Sequence, residues 1–179
     1  MGRDKALIKL GGEYLIQRAV RQLQTRVDEI LVLSGPTKRY ETLLDVPVLP
    51  DAIKRKDPLG GLYTGLKNCC HDWALLIACD MPFVRPEIIE LLVGEMGAEP
   101  IVAFEIGNYR THTLALYHQS CLPLIEQQIR ANDLAMHRLF ERLPVKLIAE
   151  RRARQADPEL LSFRNLNRSE DLIEARRLA

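Results

Sequence analysis

The sequence has no long apolar run and almost no excess of charge of either sign. A membrane span needs about 18 to 20 consecutive apolar residues, and no stretch of the chain approaches that length. The 25 lysines and arginines are offset by 24 acidic residues, which leaves a formal net charge of +1. A generic nucleic-acid binder needs a clear basic excess. These absences argue against both a membrane and nucleic acid as partners.

Cysteine is also scarce, and the few present do not form a recognisable site. Of the 4 cysteines, Cys69 and Cys70 are adjacent, a spacing that fits neither a zinc knuckle nor a redox CxxC pair. The amino end does not read as a secretory signal, because Arg3, Asp4 and Lys5 lead directly into amphipathic sequence. We therefore expect reduced thiols and a cytoplasmic location.

What the chain does contain is an alternation of two kinds of segment. Short apolar runs such as "EILVLSG" and "WALLIACD" alternate with helical patterns such as "EYLIQRAVRQLQTRV". Strands that are apolar on both faces belong in a sheet covered by helices on both sides. The sequence therefore predicts a three-layer α/β/α fold with a mostly parallel sheet, in a single domain over residues 1–179. The polar stretch "ERRARQADPE" is expected to form a mobile loop.

Two acidic residues directly follow predicted strands. Asp51 ends "VPVLPD" and Asp80 ends "WALLIACD". In α/β sheets, ligands bind outside the carboxyl ends of the strands, so both acids are candidates for a nucleotide or metal site. The alternative is that either one caps a turn. A partly buried carboxylate without a partner is costly, and Mg²⁺, which prefers one or two carboxylates with phosphate oxygens, is a natural partner for Asp80.

Four segments, found in order along nearly the whole chain, carry a family resemblance. They are "MGRDKALIKLGG", "DPLGGLYTGL", "ACDMPFVRPEII" and "NLNRSEDL". Together they closely resemble the molybdenum cofactor guanylyltransferases, which are nucleotidyltransferases. The resemblance implies a Rossmann-like nucleotidyltransferase fold, Mg²⁺, and transfer of GMP from GTP to the terminal phosphate of molybdopterin with release of pyrophosphate. It also implies proteins that deliver the cofactor or accept the product. The phosphate nucleophile needs no general base, and no Ser–His–Asp pattern is evident.

The resemblance also assigns roles by position in this sequence. Asp80 matches the family's metal-binding acid, and Lys5 matches the lysine that contacts the nucleotide phosphates, so both are expected to be catalytic. Asp51 matches an acid that reads guanine through its N1–H and 2-amino donors. Gly60 and Gly61 match the turn where backbone without a Cβ approaches the nucleotide.

Further candidates lie on the side of the pterin phosphate. Asn165 and Asn167 match the family's Asn-x-Asn pair near the metal and that phosphate, although capping of the last helix is an alternative for both. Arg110 and His112 lie where the family has a His-Pro-Leu stretch facing the pterin, with Thr113 in place of the proline. These two are weaker candidates for anion contacts.

Departures of the sequence from the family bear on the nucleotide, and two of them concern its phosphates. Family members carry a strand and a Gly-rich loop before "MGRDK", and the loop cradles the nucleotide with backbone N–H groups. Residues 1–179 contain neither, so we expect an upstream start or a truncation, with unpaired strand edges where the missing strand belongs. Asp57 replaces a glycine before "PLGG" and adds negative charge near the triphosphate.

Two other functions remain as alternatives. One is a cytidylyltransferase or a sugar-phosphate nucleotidyltransferase, which differ in the nucleotide or acceptor they use. The other is a non-catalytic module that binds a nucleotide or a partner protein. The basic cluster Arg151, Arg152 and Arg154 lacks interleaved aromatic residues and reads as a solvated loop rather than as a nucleic-acid site.

Overall fold

The computed structural model describes residues 4–35, 39–53 and 57–178. Its strands are β1 (Lys9–Leu10), β2 (Glu13–Tyr14), β3 (Val32–Leu33), β4 (Val48–Leu49), β5 (Trp73–Ile77), β6 (Ile101–Ile106), β7 (Tyr109–His118) and β8 (Val145–Ala149). Its helices are α1 (Leu15–Leu23), α2 (Pro58–Asn68), α3 (Pro86–Gly94), α4 (Leu122–Arg130), α5 (His137–Arg142), α6 (Glu150–Ala156) and α7 (Ser169–Leu178). Short 3-10 turns lie at Lys5–Leu7, Gln119–Cys121 and Leu161–Phe163.

The larger sheet is covered by helices on both faces. Its strand order is β5-β7-β6-β8. Because successive side chains of a strand point to opposite faces, Ile101 and Ala103 of β6 pack in one core with residues of α2, α4 and α5. Val102 and Phe104 pack in a second core with residues of α3 and α6. This arrangement confirms the predicted three-layer α/β/α fold.

The strand directions are more mixed than the sequence predicted. β7 runs antiparallel to both β5 and β6, whereas β8 is parallel to β6. The turn between β6 and β7 is only Gly107 and Asn108, with Gly107 in the left-handed region at φ 57°. A connection this short joins antiparallel strands, since parallel neighbours require a long crossover. The expectation of a mostly parallel sheet is therefore corrected to a mixed sheet.

The segment expected to form a mobile loop is mostly the helix α6. Its Ala153 is fully buried against the core between the sheet and α3. Glu150 accepts a hydrogen bond from Arg154 Nε at 2.7 Å, one helical turn away, and another from the Gly107 N–H at 2.7 Å. Because small alanines form the buried side of this helix, its sequence looks polar throughout.

A smaller parallel pair, β3 with β4, forms its own sheet. In the part of the chain that the structure describes, β3 pairs only with β4, and β5 pairs only with β7. Cys79, which follows β5, packs against the cluster that contains Val32 and Val48. The two sheets therefore adjoin where β5 ends. Within the described ranges, no helix is long and apolar enough to cross a membrane.

Candidate active site

Asp80 lies in a tight turn immediately beyond β5. The strand ends at Ile77, and the Met81 N–H donates to the Ala78 carbonyl at 3.2 Å to close the turn. The Asp80 side chain is 16% exposed. Its backbone carbonyl accepts a 2.8 Å hydrogen bond from the Leu166 N–H, which fastens the segment before α7 to this turn. The carboxylate thus projects at the carboxyl end of a strand, as the sequence predicts, although the residues of that strand are half-buried rather than fully buried.

The ammonium group of Lys5 joins residues from three distant parts of the chain. Its Nζ donates to Asp80 Oδ2 at 2.9 Å and to Asn167 Oδ1 at 2.7 Å. The lysine side chain is 35% exposed, so the cluster opens to solvent on one side. Three of the predicted site residues are therefore brought together as a cation held between two hard oxygen atoms.

Asp4 fixes the position of the turn that carries Lys5. Its Oδ1 accepts from the Ala6 N–H at 3.2 Å and caps the 3-10 turn. Its Oδ2 accepts from the Tyr40 hydroxyl at 2.8 Å and from Arg39 at 3.1 Å. Burial and the Asp4 carboxylate raise the pKa of Tyr40 well above its ordinary value, so the phenol stays a donor. The buried Tyr40 thus holds Asp4, and Asp4 in turn holds the turn that carries Lys5.

Asp171 holds the segment that presents Asn167. Its Oδ2 accepts from the N–H groups of Arg168 at 2.7 Å and Asn167 at 2.8 Å. These two donors lower the pKa of Asp171, because they favour its ionised form. The cap at the start of α7 is therefore supplied by Asp171, which leaves the Asn167 side chain to contact Lys5.

Asp51 lies beyond the end of β4 and has a buried oxygen without a described partner. Its N–H donates to the Gly35 carbonyl at 2.8 Å. Among the described residues, its Oδ1 is buried and accepts no hydrogen bond. Burial raises the pKa of Asp51, and the nearby negative charge of Asp57 raises it further. A buried acceptor of this kind calls for a donor beyond the residues that the structure describes.

Gly60 and Gly61 lie inside α2 rather than in a turn before it. The helix begins at Pro58, and Asp57 caps it by accepting from the Gly60 N–H at 2.8 Å. Gly60 is buried against Ile53, whereas a Cβ at Gly61 would have nothing within 4 Å. The predicted turn is therefore the first turn of a helix, and Gly61 is the position with open space beside it.

Arg110 and His112 are not drawn into the Lys5 cluster. Arg110 Nε pairs with Glu105 Oε1 at 3.3 Å on the surface. The His112 ring packs edge-on against Phe140, with ring centroids 4.5 Å apart. Burial lowers the pKa of His112, and the charges of His137 and Arg110 lower it further, so the ring favours its neutral form. An anion contact for these two residues stays a prediction.

A small cavity of about 130 Å³ lies at the end of β7 and reaches Met81, the residue after Asp80. Met81, next to Asp80, and Asn165 are part of its lining. Apolar side chains of β6, β7 and the 3-10 turn at Leu161–Phe163 form most of its wall. The predicted pair therefore separates, with Asn167 at Lys5 and Asn165 at the cavity.

Solved nucleotidyltransferases share this fold. One is the 2-C-methyl-D-erythritol 4-phosphate cytidylyltransferase from Thermus thermophilus, with a TM-score of 0.74, 16% identity, and coverage of 97% of this chain and 92% of that one. Another is molybdopterin-guanine dinucleotide biosynthesis protein A from Archaeoglobus fulgidus, with a TM-score of 0.88, 26% identity, and coverage of 99% and 91%. With the lysine and aspartate at the carboxyl end of β5, the fold defines a nucleotidyltransferase.

The family follows from the sequence comparisons. Residues 1–148 match the MobA-like NTP transferase domain, and the chain belongs to this family. The molybdenum cofactor guanylyltransferase of Syntrophotalea carbinolica is 30% identical over 179 residues, which cover 99% of this chain and 85% of that protein. A probable molybdenum cofactor guanylyltransferase of Natranaerobius thermophilus is 28% identical over 182 residues, covering 99% and 89%. The resemblance inferred from the four segments is confirmed.

Proposed function

We propose that this protein transfers GMP from GTP to the terminal phosphate of molybdopterin and releases pyrophosphate. The observation that carries the proposal is the Lys5 ammonium held between Asp80 and Asn167 at the carboxyl end of β5. Relatives of nearly the full length of the chain are named as molybdenum cofactor guanylyltransferases. A reaction between two phosphate groups requires positive charge at the phosphate oxygens. Lys5 supplies such a charge directly, and Asp80 can bind a metal ion that supplies another.

The same cluster fits Mg²⁺. Asp80 Oδ2 and Asn167 Oδ1 already converge on one positive charge, that of Lys5. In the described ranges, no group of three or more His, Cys, Asp or Glu side chains could form an all-protein metal cage. Mg²⁺ typically binds through one or two carboxylates, with phosphate oxygens and water completing its shell. Asp80 would hold the ion with Asn167 beside it, and bound Mg²⁺ would neutralise charge on the phosphates.

The chain's own residues account for the remaining requirements of the reaction. A terminal phosphate oxygen of the acceptor forms a bond to the α-phosphorus of GTP, and the bond from that phosphorus to the bridging oxygen of pyrophosphate breaks. Lys5, a compact cation, exchanges Asp80 for the phosphates and stabilises the leaving pyrophosphate. The acceptor oxygen is already ionised, so no side chain has to remove a proton from it.

Asp51 supplies the selectivity for guanine in this proposal. Its buried Oδ1 has no described partner and lies at the carboxyl end of β4. Guanine offers the donor pair N1–H and 2-NH₂, which a carboxylate accepts and which adenine and cytosine lack. A site built to pair with donors rejects a base without them, because its own buried acceptor is then left unpaired.

Nucleotide selectivity tests this proposal directly. We expect release of pyrophosphate, with molybdopterin and Mg²⁺ present, to prefer GTP over CTP, ATP and UTP. Inosine triphosphate, which lacks the 2-amino group, should be a poorer substrate than GTP. Asp51→Ala should raise the KM for GTP by about 10- to 100-fold, as expected for hydrogen bonds to a charged group worth about 1.5 to 3 kcal/mol. It should also abolish the preference for GTP over inosine triphosphate.

Each rival function has its own outcome in this assay. Turnover with CTP alone would identify a cytidylyltransferase and remove the guanine-reading role of Asp51. A sugar phosphate that replaced molybdopterin as acceptor would identify a different nucleotidyltransferase. Binding of GTP without any release of pyrophosphate would indicate a non-catalytic module.

The charge of Asp57 should make GTP binding sensitive to acid. Protonation of Asp51 turns its acceptor into a donor, so affinity for GTP should fall as the pH drops through the raised pKa of Asp51. Asp57→Asn removes one of the two causes of that raised pKa. The variant should therefore retain GTP binding to lower pH than the wild type, as measured by titration calorimetry from about pH 4 to pH 8.

A second variant separates this charge effect from the helix cap. Asparagine can still accept from the Gly60 N–H, whereas Asp57→Ala loses that cap at a cost of about 1 kcal/mol. Both variants should shift the pH dependence of GTP binding equally, while only Asp57→Ala lowers the thermal midpoint. An unchanged pH profile in Asp57→Asn would show that the two carboxylates do not interact.

A further inference from the structure

One carboxyl group is fully buried, and the proposed reaction makes no use of it. Asp157 follows α6 and is 0% exposed, and no other aspartate or glutamate among the described residues is buried. Its Oδ2 accepts from the Ser162 N–H at 2.7 Å. Its Oδ1 lies 3.5 Å from Arg85 Nε and accepts no hydrogen bond from a described residue. Burial of a carboxyl group that is not fully paired is costly, so packing alone does not account for Asp157.

Asp157 sets the path of the chain between α6 and the last helix. The Leu160 N–H donates to the Asp157 backbone carbonyl at 2.9 Å, so the chain turns back directly after α6. Leu160 has φ 53°, a left-handed conformation that is rare for a residue with a bulky side chain. Such a conformation costs free energy and persists where the surrounding contacts fix it. The bond from the Asp157 carboxyl group to Ser162, two residues beyond Leu160, is one of these contacts.

Ser162 transmits this constraint to the segment that follows Asp80. The serine is fully buried, and its hydroxyl accepts from the Arg85 N–H at 3.0 Å and donates to the Phe83 carbonyl at 3.4 Å. Both partners lie between Asp80 and the body of α3. One hydroxyl therefore joins two backbone groups of that segment. Asp157 keeps this hydroxyl in place by binding the N–H of the same serine.

The segment from Ser162 to Asn167 is joined to the Asp80 turn at a second point. The Leu166 N–H bonds to the Asp80 carbonyl at 2.8 Å, and Asn167 follows directly. Two attachments fix both the position and the direction of a segment, whereas one leaves it free to pivot. Without the attachment at Ser162, the segment could pivot about Leu166 and carry Asn167 Oδ1 away from Lys5 Nζ, which it now contacts at 2.7 Å.

We propose that Asp157 is a positioning residue for the phosphate site. Through Ser162, it orients the segment that presents Asn167 to Lys5. The proposal rests on the function proposed above and adds to its site a residue that touches no substrate, because Asp157 is fully buried. The described hydrogen bonds of this segment lead to the Asp80 turn and to Lys5. The effect of Asp157 therefore falls on the rate of transfer rather than on the affinity for GTP.

Kinetics of matched variants at Asp157 test the positioning role. Asp157→Ala should lower kcat for GMP transfer by about 10- to 100-fold and leave the KM for GTP within about twofold, since a displacement of about 1 Å can cost about 100-fold in rate. Asp157→Asn retains an oxygen that accepts from the Ser162 N–H, so its kcat should stay within about threefold of the wild type. An equal loss in Asp157→Asn, or a rise in the KM for GTP that matches the fall in kcat, would contradict the assignment.

A double variant shows whether Asp157 acts through Asn167. In an Asn167→Ala background, Asp157→Ala should lower kcat by less than about twofold more, because the side chain that it positions is already absent. Losses that multiply in full would mean that Asp157 acts elsewhere. Asp133→Ala is the control, since Asp133 also accepts from a loop N–H, that of Ala135 at 3.5 Å, and pairs with Arg138 at 3.5 Å. It should keep the wild-type kcat.

Hydrogen exchange separates this proposal from the proposed reaction, because it needs no substrate. In Asp157→Ala, the Leu166 amide should exchange at least about tenfold faster, while the Cys69 amide, bonded to the Gly65 carbonyl at 2.9 Å at the end of α2, should be unchanged. This result supports the positioning role even if GMP transfer is not found. Unchanged exchange at Leu166, or equal acceleration at both amides, would overturn it.

A variant at Ser162 keeps the test decisive if Asp157→Ala does not fold. Ser162→Ala removes the hydroxyl that joins the two segments but retains the N–H that bonds to Asp157. It should produce the same selective acceleration at Leu166 and the same fall in kcat with the KM for GTP unchanged. Wild-type exchange and turnover in Ser162→Ala would show that this link does not position Asn167.

Discussion

Asp80→Asn is expected to reduce GMP transfer by about 100- to 1,000-fold while leaving the protein folded. Loss of a single donor that stabilises transition-state charge costs about 100- to 1,000-fold, and Asp80 is the one carboxylate that the proposed mechanism gives to Mg²⁺. Asparagine matches its size but cannot neutralise Lys5 or bind the ion as tightly. The measurement is kcat/KM for release of pyrophosphate at saturating Mg²⁺, together with a thermal melt.

The fold should tolerate this change because the pair it breaks is partly exposed. The side chains of Lys5 and Asp80 are 35% and 16% exposed, and pairs open to solvent contribute about 1 kcal/mol or less. Asp133→Asn is a matched control, since it breaks a surface pair with Arg138 of 3.5 Å outside the Lys5 cluster. The control should keep full activity. Wild-type turnover in Asp80→Asn would remove this residue from the metal role.

Lys5→Ala should lower kcat/KM by an amount equivalent to about 2 to 4 kcal/mol, or roughly 30- to 1,000-fold. Its ammonium stabilises the leaving pyrophosphate in the proposed mechanism. The same change should tighten the binding of Mg²⁺ in the absence of nucleotide. Lys5 Nζ donates a hydrogen bond to Asp80 Oδ2 at 2.9 Å and therefore competes with the ion for this oxygen. Opposite effects on turnover and on Mg²⁺ affinity would distinguish a role at the phosphates from a structural one.

Lys9→Ala is the control for the lysine. Lys9 is exposed, and its ammonium lies 5.0 Å from the centroid of the Tyr14 ring. It is close to Lys5 in sequence but lies outside the contacts of Asp80. In this variant, kcat/KM and the affinity for Mg²⁺ should both be close to those of the wild type. Weaker Mg²⁺ binding in Lys5→Ala would mean that the lysine supports the metal site rather than competing with it.

Much of the fold could be predicted because the signal lies in local apolar patterns. The apolar runs that contain β3 and β5 and the amphipathic stretch that contains α1 were all evident. Strand direction was not, since the apolar pattern of a buried strand is the same in either orientation. The two-residue Gly107-Asn108 connection was the available signal for an antiparallel hairpin, because Gly and Asn favour such turns.

The candidate site was also predictable in part: its residues could be named from the sequence, but the contacts that support them could not. The family resemblance assigned Lys5, Asp80 and Asn167 to one site, with the metal at Asp80 and the Asn-x-Asn pair near it. What no local pattern encodes is the hydrogen bond from the Leu166 N–H to the Asp80 carbonyl, which fastens the two segments together. The support from Asp4 and Tyr40 was missed because both are ordinary residues for a turn and a core. The shift in the pairing of β6 with β7 between Ala103 and Glu105 could not be predicted, because Thr111 also suits a regular strand.

The return of the segment before α7 to the turn after β5 has a consequence for the order of assembly during synthesis. Asn167 reaches Lys5 across 162 residues, so the cluster of Lys5, Asp80 and Asn167 stays incomplete until almost the whole chain has been made. Only after Asn167 and its Asp171 cap emerge from the ribosome can the three side chains meet. The catalytic role proposed for these side chains therefore depends on the last part of the chain to be made.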